Sequence, residues 1–409
     1  MKTQQKPKTE WKEEELENVC TLITDGTHEI TPYVKEGYPM ISSKHLKEEG
    51  IDFSKVKYVS EETHKSIVSR SNPEINDILF AKIGTIGNAT IIKTDREFSI
   101  KNVALFKVNK EKLSVQYLKY FLDYVSRLEL INKITGGTNQ KYIPLERLRK
   151  FQIPLPPLPA QSLIVSAIES RFSKIDNAIK NLKSAKAKIQ LYRKAVLKKA
   201  FEKGEDWEEK KIGEVFITNP QKNEIKDLSD DLDISFIPMK FVSEKSKKII
   251  NQETKKLSQV RKGYTYFKDD DVILAKITPC FENGKMAIAK ELINGIGFGS
   301  TEYHVFRTQK EVITPFLFYF LQQNKFKGEA KRNMTGTAGQ LRVPIKFIEN
   351  YHISFPPSLS TQQSIVSSIE SKFSVIDKVE EIVNNSLKKA EKLKKSILKS
   401  AFEGRLIKE

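Results

Sequence analysis

The chain contains one sequence pattern twice. When residues 164–202 are aligned with residues 365–403, 17 of the 39 pairs are identical, Asp176 and Asp377 among them. An internal repeat limits the possible architecture more than any local motif, because each copy is one structural unit. We therefore predict two similar halves related by a pseudo-twofold axis.

The composition favours an anionic partner and a cytoplasmic location. The 409 residues carry a formal net charge of +18, and such a charge suggests a polyanion such as nucleic acid. Twofold protein geometry suits duplex DNA. Cys20 and Cys280 are too far apart in sequence to indicate a disulfide framework or a zinc site. The N-terminus lacks a signal-peptide core, and the apolar run 316–321 is too short to span a bilayer. We expect a soluble cytoplasmic protein without a membrane partner.

Each copy of the repeat has apolar residues at steps of three and four, a spacing that is typical of coiled-coil helices. The predicted contact residues of the first helix are Ile164, Ile168, Phe172, Ile175, Ile179, Leu182, Ile189, Tyr192 and Val196. Those of the second helix are Ile365, Ile369, Phe373, Ile376, Val383, Ala390, Leu393 and Ile397. The lysines outside this series indicate a solvated face, or else a surface for phosphate or acidic partner helices.

Each predicted helix has a marked start and end. Prolines at 154, 156, 157 and 159 precede the first, Pro356 and Pro357 precede the second, and Gly204 and Gly404 follow the helices. Each helix would be roughly 60 Å long. The first helix leads into the second globular segment and the second helix leaves it, so pairing within one chain must be antiparallel. The alternative is that each helix pairs in a homodimer.

The repeat extends more weakly into two globular segments. Residues 77–83 and 271–277 match as strands, and further strands are predicted at 89–93 and 102–108 and at 285–290 and 303–307. An aromatic helix follows in each segment, at about 115–134 and 315–331, and then a Gly/Thr loop at 135–141 and 335–342. The predicted fold class is α+β. Two similar mixed α/β domains are joined by two long antiparallel coiled-coil helices.

The sequence shows no catalytic motif. A phosphate-binding loop is absent, because the segment around Asn283 and Gly284 lacks the upstream glycine and the hydroxyl residue. Thr218-Asn219-Pro220-Gln221 lacks the second proline and the aromatic residue of an amino-methyltransferase motif. No Cys/His cluster has zinc spacing. We expect no catalytic residues, no metal and no cofactor in this chain.

Three segments carry a resemblance to a known family. They are Pro-Leu-Pro-Pro-Leu-Pro-Ala-Gln-Ser-Leu-Ile-Val at 154–165, its counterpart Phe-Pro-Pro-Ser-Leu-Ser-Thr-Gln-Gln-Ser-Ile-Val at 355–366, and the loop before Pro144. The chain resembles the specificity subunit of type I restriction–modification systems over essentially its whole length. It departs from the family pattern at the second helix start, where Ser358 and Thr361 replace the usual residues.

The resemblance implies a division of labour. Residues 1–153 and 205–353 would be target-recognition domains, and 154–204 and 354–409 would be the conserved helices. Each domain would read one half of a split site in double-stranded DNA. The helices would set the spacing and bind two modification subunits, which use S-adenosylmethionine. Restriction subunits, which use ATP and Mg²⁺, would join that core, and the specificity subunit itself would have no catalytic residues.

Polar side chains on loops are the candidates for DNA contact, through phosphates or base edges. In the first domain they are Thr27, His28, Ser43, Lys44, Lys82, Thr85, Thr138, Asn139, Gln140 and Lys141. In the second they are Lys240, Lys276, Thr337, Gln340 and Arg342. Two alternatives stay open: Lys82 and Lys276 are solvated strand-end lysines, and the Gly-rich loops are plain turns or hinges.

Two other functions are compatible with parts of the pattern. A single-chain methyltransferase or nuclease would be active as the purified chain with cofactor and metal. A coiled-coil scaffold that uses its charge for RNA or membranes would bind without regard to duplex sequence.

Overall fold

The computed structural model describes residues 11–29, 31–83, 86–128, 142–337 and 339–407. These residues divide into two compact units. Unit 1 comprises the described residues up to Lys183 and those from Asn384 onward, and unit 2 comprises Ser184–Val383. No helix in the described part of the chain is long and apolar enough to cross a membrane.

Unit 1 is built around a four-stranded antiparallel sheet in the order β2-β10-β7-β8, with a three-stranded sheet β6-β3-β9 beside it. Its elements are β1 (Glu13–Glu15), α1 (Leu16–Val19), β2 (Cys20–Asp25), β3 (Tyr38–Ile41), β4 (Leu46–Lys47), β5 (Gly50–Ile51), β6 (Lys57–Val59), α2 (Glu61–Ser71), β7 (Ile78–Ala81), β8 (Ala89–Ile91), β9 (Ser99–Ile100), β10 (Val103–Val108), α3 (Val115–Arg127), α4 (Leu145–Arg149), β11 (Gln152–Pro154) and α5 (Leu158–Ala200), of which the last extends into unit 2.

Unit 2 repeats the first sheet strand for strand, in the order β13-β20-β17-β18. Its second sheet has the order β15-β14-β19-β16. Its elements are β12 (Glu208–Lys211), α6 (Ile212–Val215), β13 (Phe216–Thr218), β14 (Asp233–Ile237), β15 (Glu253–Lys256), α7 (Leu257–Val260), β16 (Thr265–Lys268), β17 (Val272–Ala275), β18 (Met286–Ile288), β19 (Ile296–Gly299), β20 (Tyr303–Thr308), α8 (Thr314–Phe320), α9 (Asn324–Arg332), α10 (Ile345–Glu349), β21 (His352–Phe355) and α11 (Leu359–Phe402), which extends into unit 1.

The shared sheet explains the strands predicted from the repeat. All four residues of β7 and all four of β17 are buried, as their unbroken apolar sequences require. Each strand follows an aspartate that pairs with a basic residue of the neighbouring strand. Asp77 accepts from Lys107 at 2.8 Å, and Asp271 accepts from Arg307 at 2.7 Å. The predicted fold class, two similar mixed α/β domains joined to long helices, is confirmed.

The two units differ in the segment before β7 and before β17. Unit 1 has the 11-residue helix α2 there, whereas unit 2 has the four-residue helix α7 and then the extra strand β16. The predicted aromatic helix of unit 1 begins at Val115 as expected, and residues 129–141 lie outside the described part of the chain. The single helix predicted at 315–331 was wrong, because the backbone of Gln323 is extended and separates α8 from α9.

A buried glutamine fixes the start of each long helix. Gln161 is fully buried, accepts a hydrogen bond from the backbone of Ser114 at 2.8 Å and donates to the carbonyls of Lys112 and Pro156. Gln362 makes the equivalent bonds in unit 2, to the backbone of Ile313, Glu311 and Pro356, each at 2.9 Å. Because a buried amide is costly without partners, each glutamine holds its helix to one position on the domain.

The helix boundaries largely follow the sequence signals. Pro159 lies inside the first turn of α5, where proline is tolerated, rather than before the helix. Ser358 caps α11 by accepting from the backbone of Thr361 at 3.3 Å. Gly404 ends α11 with a φ of +68°, a conformation that glycine adopts without strain.

The two long helices contact each other in unit 1. Ile164, Ile168, Phe172 and Ile175 of α5 are buried in the core that also contains the α11 residues Ile397, Leu398, Ala401 and Phe402. The Phe402 ring lies 5.2 Å from Tyr117 and 5.4 Å from Phe121 of α3, between ring centroids. The end of one helix thus packs beside the start of the other, which is the antiparallel pairing expected for one chain.

Unit 2 contains the equivalent contacts with the helices exchanged. Val196 and Leu197 of α5 pack with Ile369, Phe373 and Ile376 of α11 in one buried cluster. The Phe201 ring, which corresponds to Phe402, lies 4.9 Å from Phe316 and 5.7 Å from Phe320 of α8. The start of α11 and the end of α5 therefore meet on the aromatic helix of this unit. Pairing within a single chain is the arrangement that the structure has.

Ten of the predicted helix-contact residues are buried. In unit 1 these are Ile164, Ile168, Phe172, Ile175 and Ile397, and in unit 2 they are Val196, Ile369, Phe373, Ile376 and Val383. Five more are half-buried, namely Ile179, Leu182, Ile189, Ile365 and Ala390. The prediction was wrong for the other two: Tyr192 is 56% exposed and Leu393 is 52% exposed.

The residue that follows each of these two exposed residues is basic, and its side chain contacts the opposite helix instead. In unit 1 the buried Lys394 places its Nζ 2.5 Å from Asp176 and 5.0 Å from the centroid of the Phe172 ring. In unit 2 Arg193 pairs with Asp377, and its guanidinium lies 4.6 Å from the Phe373 ring. These two sets occupy equivalent positions of the repeat. The alternation of apolar residues does not predict them, because the inward residue is charged.

Asp176 and Lys394 are expected to respond differently to removal of charge. Asp176→Asn leaves the buried Lys394 ammonium with only Glu48, at 3.6 Å, and should lower the free energy of unfolding by about 2 kcal/mol. The loss is smaller than for a fully buried pair because Glu48 remains and Asp176 is half-exposed. Lys394→Met removes the buried charge and keeps the apolar stem, so the change should stay within about 1 kcal/mol. Urea unfolding measures the free energy of unfolding of both variants, and Lys395→Met, at an exposed position, is the control. Equal losses in both variants would contradict this account of the pair.

Candidate nucleic-acid interface

A cluster of charged and polar side chains lies at one end of the four-stranded sheet of unit 1. Asp25 ends β2 and Lys82 follows β7, and both strands flank β10, so the two residues emerge at the same end of the sheet. Both side chains are buried, and the Lys82 ammonium donates to the Asp25 carboxylate. Arg70, from α2, donates to the other oxygen of Asp25 while its side chain is 61% exposed.

His28 is attached to this cluster by the turn that follows Asp25. Its Nε2 lies 2.9 Å from Asp25 Oδ2, and its Nδ1 lies 2.6 Å from Asn102 Oδ1. The turn itself lies against Ile100, because a Cβ on Gly26 would come within 2.0 Å of the Ile100 carbonyl oxygen. Only glycine permits so close an approach, and it leaves the exposed His28 ring in a fixed position at the surface.

The residues around Asp25 keep its carboxylate ionised. Burial raises the pKa of Asp25, but hydrogen bonds from Lys82, His28 and Arg70 outweigh burial and bring the pKa below its usual value. The carboxylate is therefore ionised at neutral pH. Since Lys82 is only 5% exposed, we interpret it as a residue that organises the site, neither a solvated lysine nor a phosphate contact.

Other candidates of unit 1 lie close to Lys82 in the structure. Ser43 donates from its hydroxyl to the carbonyl of Ile83 at 3.0 Å. Ile83 also forms a backbone bridge with the exposed Tyr142, which follows the Gly-rich loop. Thr27 is half-buried and Lys44 is exposed. The candidates Thr85, Thr138, Asn139, Gln140 and Lys141 lie outside the described residues.

In unit 2 the corresponding Gly-rich loop is joined to the turn after β17. The hydroxyl of Thr278 donates to the carbonyl of Gly339 at 3.2 Å and accepts from the backbone of Leu341 at 3.1 Å. The loop closes as a hairpin, in which Thr335 and Arg342 pair through backbone bonds of 2.9 and 2.8 Å. The candidates Thr337 and Gln340 lie at its exposed tip.

Arg342 is already paired with a carboxylate of the same unit. Its Nε donates to Glu302 Oε2 at 3.0 Å and its Nη2 to Glu302 Oε1 at 2.8 Å, a bidentate arrangement. This hydrogen bond lowers the pKa of Glu302. A guanine contact by Arg342 would require the guanidinium to exchange partners. Lys276, by contrast, is half-buried and forms no ion pair within the described residues.

Lys240 lies apart from this loop, on the turn after β14. Its side chain is 71% exposed, its Nζ is 3.9 Å from Glu253 Oε1 and it lies 4.9 Å from the Phe241 ring centroid. A weak exposed ion pair of this kind leaves the amine available for another anion.

The two units carry different residues at equivalent positions of this site. Lys276 corresponds to Lys82, but by the strand register Asn219 corresponds to Thr24, so Pro220 stands where unit 1 has Asp25. Asn219 accepts from the backbone of Val305 at 3.0 Å and so caps the sheet without a charge. The same scaffold therefore presents a carboxylate-centred cluster in one unit and a neutral amide in the other.

Three residues of these sites escaped the sequence analysis: Arg70, Asn102 and Glu302. Arg70 is 45 positions from Asp25, and Glu302 is 40 positions from Arg342. No local spacing connects such residues, because the sheet brings them together. The one available signal was Asp25 itself, a charged residue at the end of an apolar strand. In the described ranges, no group of three or more His, Cys, Asp or Glu side chains could hold a metal ion.

Sequence comparison finds a family that covers both halves. The model of the type I restriction modification DNA specificity domain matches residues 8–190 and again residues 204–391. A specificity subunit of the type I restriction enzyme EcoEI from Escherichia coli is 40% identical over 201 residues, which cover 49% of this chain and 33% of that protein. The chain thus aligns with about a third of that relative's length.

A second relative matches along nearly the whole chain. The putative type I restriction enzyme MjaX specificity subunit of Methanocaldococcus jannaschii is 25% identical, and the alignment covers 97% of this chain and 94% of that protein.

The fold also resembles that of a solved structure. That structure was described in a study of complex assembly and conformational transition of the type I R-M system. The TM-score is 0.73, with 14% sequence identity, and the match covers 98% of this chain and all of the other. From the two matches to the family model, this chain belongs to the type I restriction modification DNA specificity domain family.

Proposed function

We propose that this chain is the DNA-recognition subunit of a type I restriction–modification complex. Each unit reads one half of a split site in duplex DNA. The observation that carries the proposal is the duplicated sheet, which presents a polar cluster at the same strand end in both units, with Asp25 in one and Asn219 in the other. The net charge of +18 and the names of the relatives, which are specificity subunits, support it.

Base recognition is assigned to the exposed side chains of these clusters. In unit 1, His28 and Arg70 are exposed and are held by Asp25. In unit 2, Thr337 and Gln340 lie at the exposed tip of the hairpin. Arginine suits guanine, and amide side chains suit adenine, in the major groove. The exposed lysines Lys44 and Lys240 are assigned to phosphates, which position the protein without specifying sequence.

The helices are proposed to bind modification subunits. In unit 2, α11 exposes Val375, Val379 and Ile382, at 60%, 42% and 64%, with the spacing of one helix face. Leu191, on α5, is 64% exposed. Apolar side chains in a row on a helix surface indicate a partner that covers them. We assign this stripe to a helix of a modification subunit, which would bring the S-adenosylmethionine chemistry to the DNA.

The remaining parts of the proposal rest on the family. Two modification subunits match the duplicated chain, and ATP- and Mg²⁺-dependent restriction subunits join them. This chain contributes recognition and no catalytic residue. The complex acts in the cytoplasm, where the DNA is. Residues 1–153 and 205–353 are the two recognition domains, and residues 154–204 and 354–409 are the helices that separate them.

Replacement of Asp25 with Asn tests the cluster, because it removes the carboxylate charge and keeps the size of the side chain. Lys82 would be left buried without a carboxylate, so the free energy of unfolding should fall by about 3 kcal/mol. Because the folded pKa of Asp25 is lowered, its contribution is fully present above the unfolded pKa of about 3.9 and is lost as the pH falls through the folded pKa. The difference between the wild type and the variant should therefore shrink only below about pH 4.

Urea unfolding across this pH range measures the effect, with the exposed Asp95→Asn as the matched control. In the reconstituted complex, Asp25→Asn should reduce methylation of the target site because recognition by unit 1 is weakened. The bases required in the half-site of unit 2 should not change. An unfolding free energy equal to that of the wild type at pH 7 would contradict the assigned role of Asp25.

Exchange of the first recognition domain tests the assignment of half-sites. A chain in which residues 1–157, which end before α5, come from another family member should acquire a new first half-site and keep the second. Methylome sequencing of cells that also express the modification subunit identifies both. A change in both half-sites would mean that the two units do not read DNA independently.

Insertion into both helices tests whether they set the spacing. Seven residues, added after Lys183 and after Val383, extend each helix by two turns and preserve the coiled-coil repeat. At 1.5 Å per residue the extension is about 10.5 Å, so the gap between half-sites should grow by about three base pairs. The half-sites themselves should not change. Altered bases at an unchanged gap would exclude the helices as the ruler.

A further inference from the structure

Unit 2 contains a cavity of about 1270 Å³ that the recognition sites described above do not use. One side is formed by α5 and α11, and the other by the loop around Lys247 and by α8 and α9. This volume exceeds that of typical small-molecule pockets, which reach roughly 1,000 Å³. Its size suits part of a larger molecule better than a metabolite.

Three lysines come together in this cavity, and we call them the basic cluster: Lys194 of α5, Lys247 and Lys327 of α9. A Cβ on Gly284 would lie 2.7 Å from Lys247 Nζ and 3.3 Å from Lys327 Nζ, so the two amines flank the same glycine. Lys247 also donates to the carbonyl oxygens of Asn283 and Gly284, at 3.2 and 2.5 Å. Two ammonium groups are thus held side by side.

The cluster carries positive charge that the protein does not neutralise. Within the described residues, none of the three lysines has a carboxylate within ion-pair distance. Burial, and then the charge of Lys327, lower the pKa of Lys247 to about 8, with an opposing effect of Glu244 and a smaller lowering by Arg193. Burial, and then the charge of Lys194, also lower the pKa of Lys327. An anion would relieve both the repulsion and the desolvation.

Six carboxylates also line the cavity, and three of them have partners among the described residues. Asp377 and Glu380 face Arg193, at ion-pair distance, and Glu370 accepts from the Tyr319 hydroxyl at 3.5 Å. Glu202, Glu244 and Glu381 are exposed to solvent. An anion would therefore bind on the side of Lys247 and Lys327, away from the α11 carboxylates.

One turn of the chain links this side of the cavity to the candidate recognition loop of unit 2. The turn after β17 begins at Thr278, which is bonded to Gly339 and Leu341 of that loop. The same turn ends at Gly284, between the amines of Lys247 and Lys327. Gly284 is six positions after Thr278, and six positions span at most about 20 Å, so the basic cluster lies within that reach of the contact with the recognition loop.

We propose that Lys194, Lys247 and Lys327 bind a backbone phosphate of duplex DNA next to the half-site that unit 2 reads. This inference rests on the proposed function. The ammonium groups supply several donors for the non-bridging oxygens of a phosphodiester. The contact carries no base specificity. It orients the recognition loop of unit 2 on the duplex.

The test is the salt dependence of DNA binding by the full chain. Fluorescence anisotropy with a labelled 30-base-pair duplex, at salt from about 50 to 300 mM, gives the slope of log Kobs against log salt concentration. One phosphate contact contributes about 0.9 to that slope, so Lys247→Gln/Lys327→Gln, which removes this contact, should make it shallower by about 0.9 and weaken binding about tenfold at low salt. The control Lys262→Gln/Lys290→Gln removes two charges from exposed lysines that do not line the cavity.

A slope that changes no more than in the control would overturn the inference. A wild-type chain that binds no duplex would contradict the proposed function as well, so the two failures are distinguishable. Circular dichroism and the unfolding midpoint check that the double variant folds. If it does not fold, the exposed Lys194→Gln, which leaves two of the three lysines, should still make the slope shallower, by less than about 0.9.

Two further measurements distinguish other anions from DNA. One outcome is that inorganic phosphate raises the melting temperature of the wild type and leaves that of the double variant unchanged. If the salt dependence of DNA binding is then the same in both proteins, the cluster binds free phosphate. Loss of co-purification with the modification subunit, again with an unchanged slope, would assign it to an acidic protein surface. Either result would overturn DNA as the source of the phosphate.

Discussion

The buried amides of Gln161 and Gln362 fix the relation between each long helix and its domain. Each is fully buried and makes three hydrogen bonds to backbone groups, so the helix starts at one place only. The position of every later helical residue follows from that start. Lys394 in unit 1 and Arg193 in unit 2 then meet equivalent aspartates, and Phe402 and Phe201 meet equivalent aromatic helices. A rigid attachment of this kind is what the proposed role of the helices as spacers requires.

The repeat and the apolar spacing predicted most of the architecture. The order of elements, the shared strands and the helix ends follow from local signals, which act over a few residues. The apolar spacing wrongly predicted that Tyr192 and Leu393 contact the opposite helix. In each case the next residue, which is basic, turns inward to pair with an aspartate of that helix. The spacing also failed at Gln323, where an extended residue divides one predicted helix in two. Both failures involve tertiary contacts, which a single-sequence pattern does not contain.

The candidate sites were predicted less completely than the fold. The turn at His28 and the Gly-rich loop of unit 2 were recognised from residue type, but their partners Arg70, Asn102 and Glu302 come from distant strands and helices. Lys82 shows the reverse error, since a strand-end lysine that suggests phosphate binding is instead buried against Asp25. At this strand end unit 1 has the Asp25 carboxylate, whereas unit 2 has Pro220 and the neutral amide of Asn219, so the same scaffold presents two different polar surfaces.

Antiparallel pairing of α5 and α11 within one chain is the central claim. Its most direct test is chemical cross-linking of Asp176→Cys/Lys394→Cys and, separately, Arg193→Cys/Asp377→Cys, with both native cysteines replaced. With a short bismaleimide and dilute protein, each pair should give an internally cross-linked monomer. The control pair Asp176→Cys/Leu393→Cys should cross-link poorly, because Leu393 faces solvent. Covalent dimers, or no cross-link in either pair, would contradict the account.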